Sequence, residues 1–399
     1  GINALFNSAT VKHMAYAGTC PGPTHILFVD DIVIFINGHM RGLRRLKKLL
    51  LAYQQSSGQS SNPGKSKLFL GAMSIDKKRK IEDFFDIKEG ALPERYLGVP
   101  LFKGSVKKSW IQILVDKIKK RASSWAGRML SFQGRVVLIQ SVLSSIPIHN
   151  MGIYKWPRRC LEEGEAAIRN FLWSGDPTQR RAITLKWESV CKPREEGGLG
   201  IRKLRELNLS LLMKLAWQLL EQKTNWSKFM TAKFKNKKGN WVNYHKSTLT
   251  WGGIKWALQE MKPYIGWIVG DGTSIDLWRD SWVGQAISDR VQFDWVGFRA
   301  RLSDIITDGQ WSIPAPLANI FSNLGIQLID VPPPFDGQDT RIWKPSSDGS
   351  FSVKVAFDNI RKKAPKCRWH NWVWAKHIHP RVGGMSWKIL QKAVTTDDK

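Results

Sequence analysis

Residues His25 to Gly38 read H-I-L-F-V-D-D-I-V-I-F-I-N-G, and how this stretch folds decides the fold around it. Apolar runs Ile26 to Val29 and Ile32 to Ile36 flank the adjacent acids Asp30 and Asp31, and the stretch ends at Asn37-Gly38. The pattern predicts a strand–turn–strand hairpin, apolar on both arms, with the acids at its tip. Two carboxylates between apolar strands are unfavourable unless a cation joins them. A hairpin tip presents their hard oxygens to one site, which suits Mg²⁺. Paired Mg²⁺ ions about 3.5–4 Å apart clamp the attacking and leaving oxygens of an in-line displacement at phosphorus. The plainer alternative is a solvated β-turn, where Asp is favoured anyway.

Downstream, Leu43, Leu46, Leu50 and Tyr53 share one helical face, with Arg44, Arg45, Lys47 and Lys48 largely elsewhere. Gln54 to Gly64 reads as a polar loop, Lys67 to Leu70 as a short strand, and Tyr96 to Leu101 as another, with Pro93 and Pro100 as breaks. Helical spacing returns over Lys107 to Trp125 and over Arg135 to Ile146, which Pro147 stops. It continues through Ala166 to Trp173 and along Leu204, Leu207, Leu211 and Leu215. Beyond Trp241 the texture becomes short strands, turns and paired Trp residues, with a Pro-rich linker at Val331-Pro332-Pro333-Pro334. The fold class predicted is α+β: strands and helices in the first hundred residues, a helical bundle to about residue 240, then a mixed region.

At 399 residues the chain is long enough for two or three domains. Its 62 Lys and Arg against 33 Asp and Glu give a formal net charge of +29, a field that attracts polyanions. Nucleic acid is the first such partner and an anionic membrane the second. The basic residues cluster: Arg41 to Lys80 holds eleven Lys or Arg against Asp76, and Lys103 to Arg135 holds nine against Asp116. Such helices can track phosphates, or can simply be solvated faces. Cys20, Cys160, Cys191 and Cys367 form no C-x-x-C pair, which argues against a disulfide framework or a complete zinc module. That usage fits a reducing compartment, nuclear or cytoplasmic. There is no apolar run of about 18 residues, so no spanning helix and no membrane partner is predicted. A start at Gly1, without a signal-peptide pattern, suggests a piece of something longer.

Several motifs occur in one order. Phe28 to Phe35 resembles the F-[AV]-D-D motif of reverse transcriptases. Asn62 with Lys65-Ser66 is similar to the N-x-x-K-S segment of the same palm. Arg95-Tyr96-Leu97-Gly98-Val99-Pro100-Leu101 is similar to an R-Y-L-G-V-P-L segment near the primer grip. Trp125, Arg128, Leu130-Ser131 and Gly134-Arg135 resemble a thumb signature, and Phe171 to Gly175 an F-L-W-x-G segment. Trp187, Cys191, Pro193 and Gly197-Gly198-Leu199-Gly200 resemble a W-x-x-x-C-x-P and G-G-L-G block. Gly270 to Gly272 with Trp278 to Trp282 look like the G-x-G and W-x-D-x-W stretch before the zinc-binding region. Trp343, Gly349 to Lys354 and Trp372 to Trp374 are similar to the start of that region. From about His25 onward the chain therefore resembles the reverse transcriptase of plant non-long-terminal-repeat (LINE-type) retrotransposons.

The resemblance implies four segments: residues 1–105 as the end of the palm, 106–240 as thumb and connection, 241–335 as a Trp-rich mixed region, and 336–399 as the truncated start of the zinc-binding domain. It implies RNA-directed DNA polymerisation by the intact polymerase, with Asp30 and Asp31 as Mg²⁺ ligands. Lys65, Arg95, Tyr96, Leu97, Gly98, Arg128 and Arg135 would meet nucleic acid or primer. The implied partners are an RNA template, a DNA primer and their hybrid. Two departures matter. A polymerase needs a third carboxylate from upstream, and residues 1–29 contain no Asp or Glu. Autonomous polymerisation by these 399 residues is therefore not expected. At the other end Pro380-Arg381-Val382 is present, but Lys399 comes before any C-x-x-C. Cys367-x-x-His370 with His377 and His379 has a chelating look, yet precedes the family's ligand positions, so no zinc is predicted.

The Trp residues can stack on bases or serve as core. Burial is predicted for Trp173, Trp187 and Trp217, and a packing role for Trp278, Trp282, Trp343, Trp372 and Trp374. Two readings from other classes stay open: a non-catalytic nucleic-acid-binding remnant, and a purely structural basic protein, which would leave the ordered motifs unexplained.

Overall fold

The computed structural model describes residues 22–126, 130–181, 185–236, 241–242, 248–293, 295, 297–327 and 331–394. It is α+β and divides into two compact units: Gly1–Lys103 with Gln222–Tyr244, and Gly104–Glu221 with His245–Lys399.

In the first unit, β1 (His25–Phe28) and β2 (Asp31–Ile34) pair antiparallel, with Phe28 opposite Asp31 and His25 opposite Ile34. The next helix, α1 (Met40–Ser57), ends at Gly58, whose left-handed φ of 70° lets its N–H reach back to the Gln54 carbonyl. Apolar side chains of the hairpin, Leu27, Ile34 and Ile36, pack around buried Leu46 of α1 with Leu50, Tyr53 and Phe85. Alternation along β1 sends Ile26 and Phe28 to the other face, where they are exposed; Ile32, paired with Leu27 near the tip, is exposed as well. A second helix, α2 (Ile75–Phe85), had no clear signal in the Lys-rich sequence. Lys47 ties it to α1, donating to the Phe84 carbonyl at 2.5 Å with its ammonium 4.6 Å from the Phe84 ring centroid.

The segment read as a strand at Lys67 to Leu70 makes only a single parallel bridge, Leu68 to Glu89. Tyr96 to Leu101, read as one strand, is the heart of a hairpin: β3 (Glu94–Tyr96) against β4 (Val99–Leu101). Leu97 and Gly98 form its turn, with φ of 48° and 80°. Two positive φ values in a two-residue loop match the twist of antiparallel strands. The helix Asn225–Phe234 opens on a capping box between Thr224 and Ser227.

The second unit is mainly helical. Helix α3 (Lys108–Ser123) packs along α5 (Arg158–Ser174). Between them, α4 (Phe132–Leu138) starts three residues before the predicted Arg135. The Ser131 hydroxyl accepts from the Gly134 N–H at 3.1 Å and caps the helix there. The chain then loosens into a π-helical turn over Ile139–Leu143 before Pro147. Helix α6 (Leu204–Glu221) is buried on nearly every side and packs against α5, α7 (Trp251–Met261) and the later α8 (Val353–Ile360). The G-G-L-G block has a steric origin. A Cβ on Gly198 would lie 2.0 Å from the Lys192 carbonyl oxygen, so no larger residue fits.

Strand β5 (Ile265–Ile268) pairs with a strand that arrives only after the Pro332–Pro334 stretch. That stretch, read as a linker, is tied to the sheet by the Phe335 N–H, which donates to the Val269 carbonyl at 3.0 Å. Short β6 (Ile306–Thr307) and β7 (Gln310–Trp311) pair on the way. Then β8 (Thr340–Trp343) runs antiparallel to β5, Trp343 opposite Ile265. The last helix, α9 (Pro380–Leu390), buries Trp387, whose indole N–H donates to the Gly197 carbonyl at 2.8 Å.

Most of the Trp residues are core. Trp173, Trp217, Trp278, Trp282 and Trp343 are buried, and Trp187 and Trp374 are half-buried against the main core. Trp343 is ringed by Trp217, Tyr264 and Phe351, with centroids 5.1–6.1 Å away. Trp372 is the correction: it is 75 % exposed, because its single-turn helix, His370–Val373, buries Val373 instead.

An ion pair closes the second unit near α8. Both carboxylate oxygens of Glu196 accept from Arg361, at 2.7 and 2.8 Å, and one also accepts from the Ala364 N–H at 3.0 Å. The Arg361 guanidinium, then the backbone donor, hold the Glu196 carboxyl below its ordinary range. A depressed carboxyl stabilises the fold above its unfolded pKa and loses that contribution as pH falls through the folded value. Glu196→Gln is therefore expected to destabilise the unit by about 1.5–3 kcal/mol at pH 7. The difference from wild type should shrink in acid below the ordinary glutamate range, as read by urea unfolding at a series of pH values.

Candidate functional site

The paired acids sit at the most exposed point of the first hairpin. Val29 and Asp30 form its turn, and Asp31 opens β2. Val29 holds a left-handed φ of 54° and is 91 % exposed. A β-branched residue there carries strain on the order of 1–3 kcal/mol, a feature that clusters at functional turns. This backbone sets both carboxylates out in solvent at one end of the hairpin, while Leu27 and Ile34 anchor the other end to α1.

Hard carboxylate oxygens fit a divalent cation in kind. In number they fall short of a two-ion site. Among the described residues, no group of three or more His, Cys, Asp or Glu side chains is placed to hold a metal. No chemical step through a metal follows from these residues alone. The same finding covers Cys367, His370, His377 and His379. There the His370 imidazole meets the Cys367 carbonyl at 2.6 Å, and the His379 side chain accepts from the Arg381 N–H at 3.3 Å as the cap of α9.

The remaining residues singled out in the first unit lie on two joined loops. Lys65 is exposed in the turn after Asn62, whose side chain and carbonyl both accept from the Lys65 N–H at 3.2 Å. Lys67 pairs with Glu94 at the start of β3, bringing that turn beside the Arg95–Leu101 hairpin. Arg95 is exposed, Tyr96 has a buried hydroxyl without a partner among the described residues, and Leu97 and Gly98 make the turn. Arg41, Arg44 and Lys48 stand exposed on α1, a basic face opposite the one that packs on the hairpin.

Arg128 lies outside the described residues. Arg135, in the second unit, serves its own chain. Its guanidinium donates to the Leu172 and Trp173 carbonyls at 3.2 Å each, the last carbonyls of α5. A cation at a helix C-terminus offsets the negative end of the dipole.

One feature has no counterpart among the residues singled out from sequence. Arg169, on α5, and the Arg180-Arg181 doublet surround a cavity of about 340 Å³ with Trp173 and Trp187 in its wall. The doublet itself, between the F-L-W-S-G and W-x-x-x-C segments, was the available signal.

Residues 351–399 match the family described as zinc-binding in reverse transcriptase. That match overlaps the segment from residue 336 whose motifs resemble the same region. Among curated proteins, the chain is 27 % identical over 327 residues to the putative ribonuclease H protein At1g65750 of Arabidopsis thaliana, covering 75 % of this chain and 51 % of that protein. It is 22 % identical over 143 residues to the uncharacterized mitochondrial protein AtMg00310 of the same plant, covering 35 % of this chain and 93 % of that protein. The chain spans about half the length of the first of these relatives. Similarity to reverse-transcriptase sequence thus covers the C-terminal segment, and similarity to a putative ribonuclease H protein covers three quarters of the chain.

Proposed function

We propose that the chain is part of a LINE-type retrotransposon reverse transcriptase, contributing two carboxylates of the polymerase metal site and a basic surface for template and primer. The observation that carries this reading is the β1–β2 hairpin, with Asp30 and Asp31 at its exposed end on a left-handed Val29. The ordered motifs and the match over residues 351–399 support it. In this reading Asp30 and Asp31 are Mg²⁺ ligands, and Arg95 to Gly98 with Lys65 lie where primer and nucleotide phosphates pass. The third carboxylate comes from other sequence of the intact polymerase. In this reading Cys367, His370, His377 and His379 hold no zinc. The experiment is a Mn²⁺ titration of the chain read by water-proton relaxation. Wild type should show a weak site that Asp30→Asn/Asp31→Asn removes; the same isotherm from both would rule out the hairpin as a cation site.

A second reading has its own observation. Two acids without a third among the described residues suit a nucleic-acid-binding remnant that does no chemistry. It shares the basic surface but predicts no Mn²⁺ site at the hairpin.

A further inference from the structure

The cavity beside α5 has a floor and a rim of different chemistry. Its floor includes the buried Trp173 and the half-buried Trp187. The Trp187 indole N–H is buried and has no acceptor among the described residues, a state that calls for an explanation. Its rim is made of Arg169, Arg180 and Arg181, all exposed, and among the described residues no carboxylate lines it. The acid nearest the doublet in sequence, Asp176, is turned to its own loop, accepting from the Thr178 N–H and hydroxyl at 2.8 and 2.7 Å; Glu188, next to Trp187, pairs with Lys203. Asn170 pins that loop by donating to the Pro177 carbonyl at 3.1 Å, which sets where the arginine doublet leaves α5.

More positive charge stands close by. Burial, and then Arg181, depress the Arg135 guanidinium; burial, then Arg135 and Arg181, depress the Lys388 ammonium. Lys388 lies 4.1 Å from the Phe132 ring centroid, and Phe132 packs against Trp173 at 5.4 Å. Arg135 and Lys388 thus join the three rim arginines around one aromatic cluster. Like charges so placed repel one another, and an anion that enters relieves them.

We propose that this cavity seats one nucleotide of a single-stranded nucleic acid, its phosphate on Arg169, Arg180 and Arg181 and its base against the indole floor. The proposal rests on the nucleic-acid reading above and adds a place and a strand type to it. Planar guanidinium forks match phosphate oxygens in pairs, which a compact ammonium does not. Aromatic side chains accept any base face, so the site reads strandedness and not sequence. A volume near 340 Å³ lies in the range of ligand pockets, roughly 300–1,000 Å³.

The test is salt-titrated fluorescence anisotropy of the whole chain with three labelled probes: a twelve-nucleotide RNA, an abasic strand of the same length, and an acidic peptide of the same charge. Arg180→Gln/Arg181→Gln is expected to weaken RNA binding about tenfold or more. It should also flatten the slope of log affinity against log salt by about 1.4, since each single-strand phosphate contact contributes about 0.7. Arg180→Lys/Arg181→Lys should keep the slope and still lose affinity. The abasic strand should bind wild type roughly tenfold more weakly than the RNA. If RNA binds but the arginine variants bind it as wild type does, the pocket is overturned and the wider reading stands. If the acidic peptide binds as tightly as RNA and loses as much, the ligand is an acidic protein segment and the proposal fails. If no probe binds, the nucleic-acid reading itself is overturned.

Discussion

Asn208→Leu is expected to destabilise the helical unit by about 3–5 kcal/mol, since it orphans three buried backbone groups at about 1–3 kcal/mol each. Asn208 sits fully buried in α6. Its amide nitrogen donates to the Met151 and Tyr154 carbonyls at 2.8 and 2.9 Å, and its oxygen accepts from the Trp156 N–H at 2.9 Å. The indole of Trp156 in turn donates to Asn150 at 2.7 Å. One side chain thus satisfies three backbone groups of the segment that leads into α5. Leucine has the same branching but bulkier methyls that neither donate nor accept, so all three groups lose this partner, and an orphaned buried group costs about 1–3 kcal/mol. The check is urea unfolding followed by far-ultraviolet circular dichroism. A midpoint within error of wild type would show that the 151–156 segment is not held as described.

The second large effect is on binding. A chain of net charge +29 is expected to hold nucleic acid mainly through phosphate contacts. With six to ten such contacts, affinity should fall roughly 10³–10⁵-fold between 50 and 200 mM salt. The candidates are Arg41, Arg44 and Lys48 on α1, and Lys117, Lys120 and Arg121 on α3, all exposed. Lys108 and Lys119 are less available, because both pair with Glu163, at 3.8 and 2.5 Å. A nearly flat salt dependence would contradict phosphate tracking and favour a charge that serves only solubility.

What was legible from sequence and what was not follows from where the signal lies. The first hairpin and α1 were readable because two apolar runs around an acidic turn give way to a helical stripe within thirty residues. The range of α3 and the start of α6 were equally plain. The Arg95–Leu101 hairpin read as one strand because its turn, Leu97-Gly98, offers an apolar residue where Asn or Asp would announce the bend. Helices α7 and α9 were missed because Gly252-Gly253 and Gly383-Gly384 look like breakers. In the fold they are spacers: a Cβ on Gly253 would meet Leu212 at 3.2 Å, and one on Gly383 would lie 2.7 Å from the Val373 carbonyl. Arg135 looked like a phosphate ligand by motif, and only the end of α5 reveals the carbonyls it serves. The arginine cavity was hidden for a related reason. Arg169 and the doublet are more than ten residues apart, and the left-handed turn at Gly175, φ 84°, folds the chain back between them.

The polymerase reading holds that these residues grip nucleic acid but supply only two carboxylates of the polymerase metal site. The most direct test of that claim is primer extension on an RNA template with Mg²⁺, run beside Asp30→Asn/Asp31→Asn, with salt-titrated binding to the same template–primer. No extension by either protein is predicted, together with salt-sensitive binding that the double substitution leaves unchanged. Extension by wild type that the substitution abolishes would contradict that claim, by showing that these 399 residues assemble a complete metal site with a third ligand of their own.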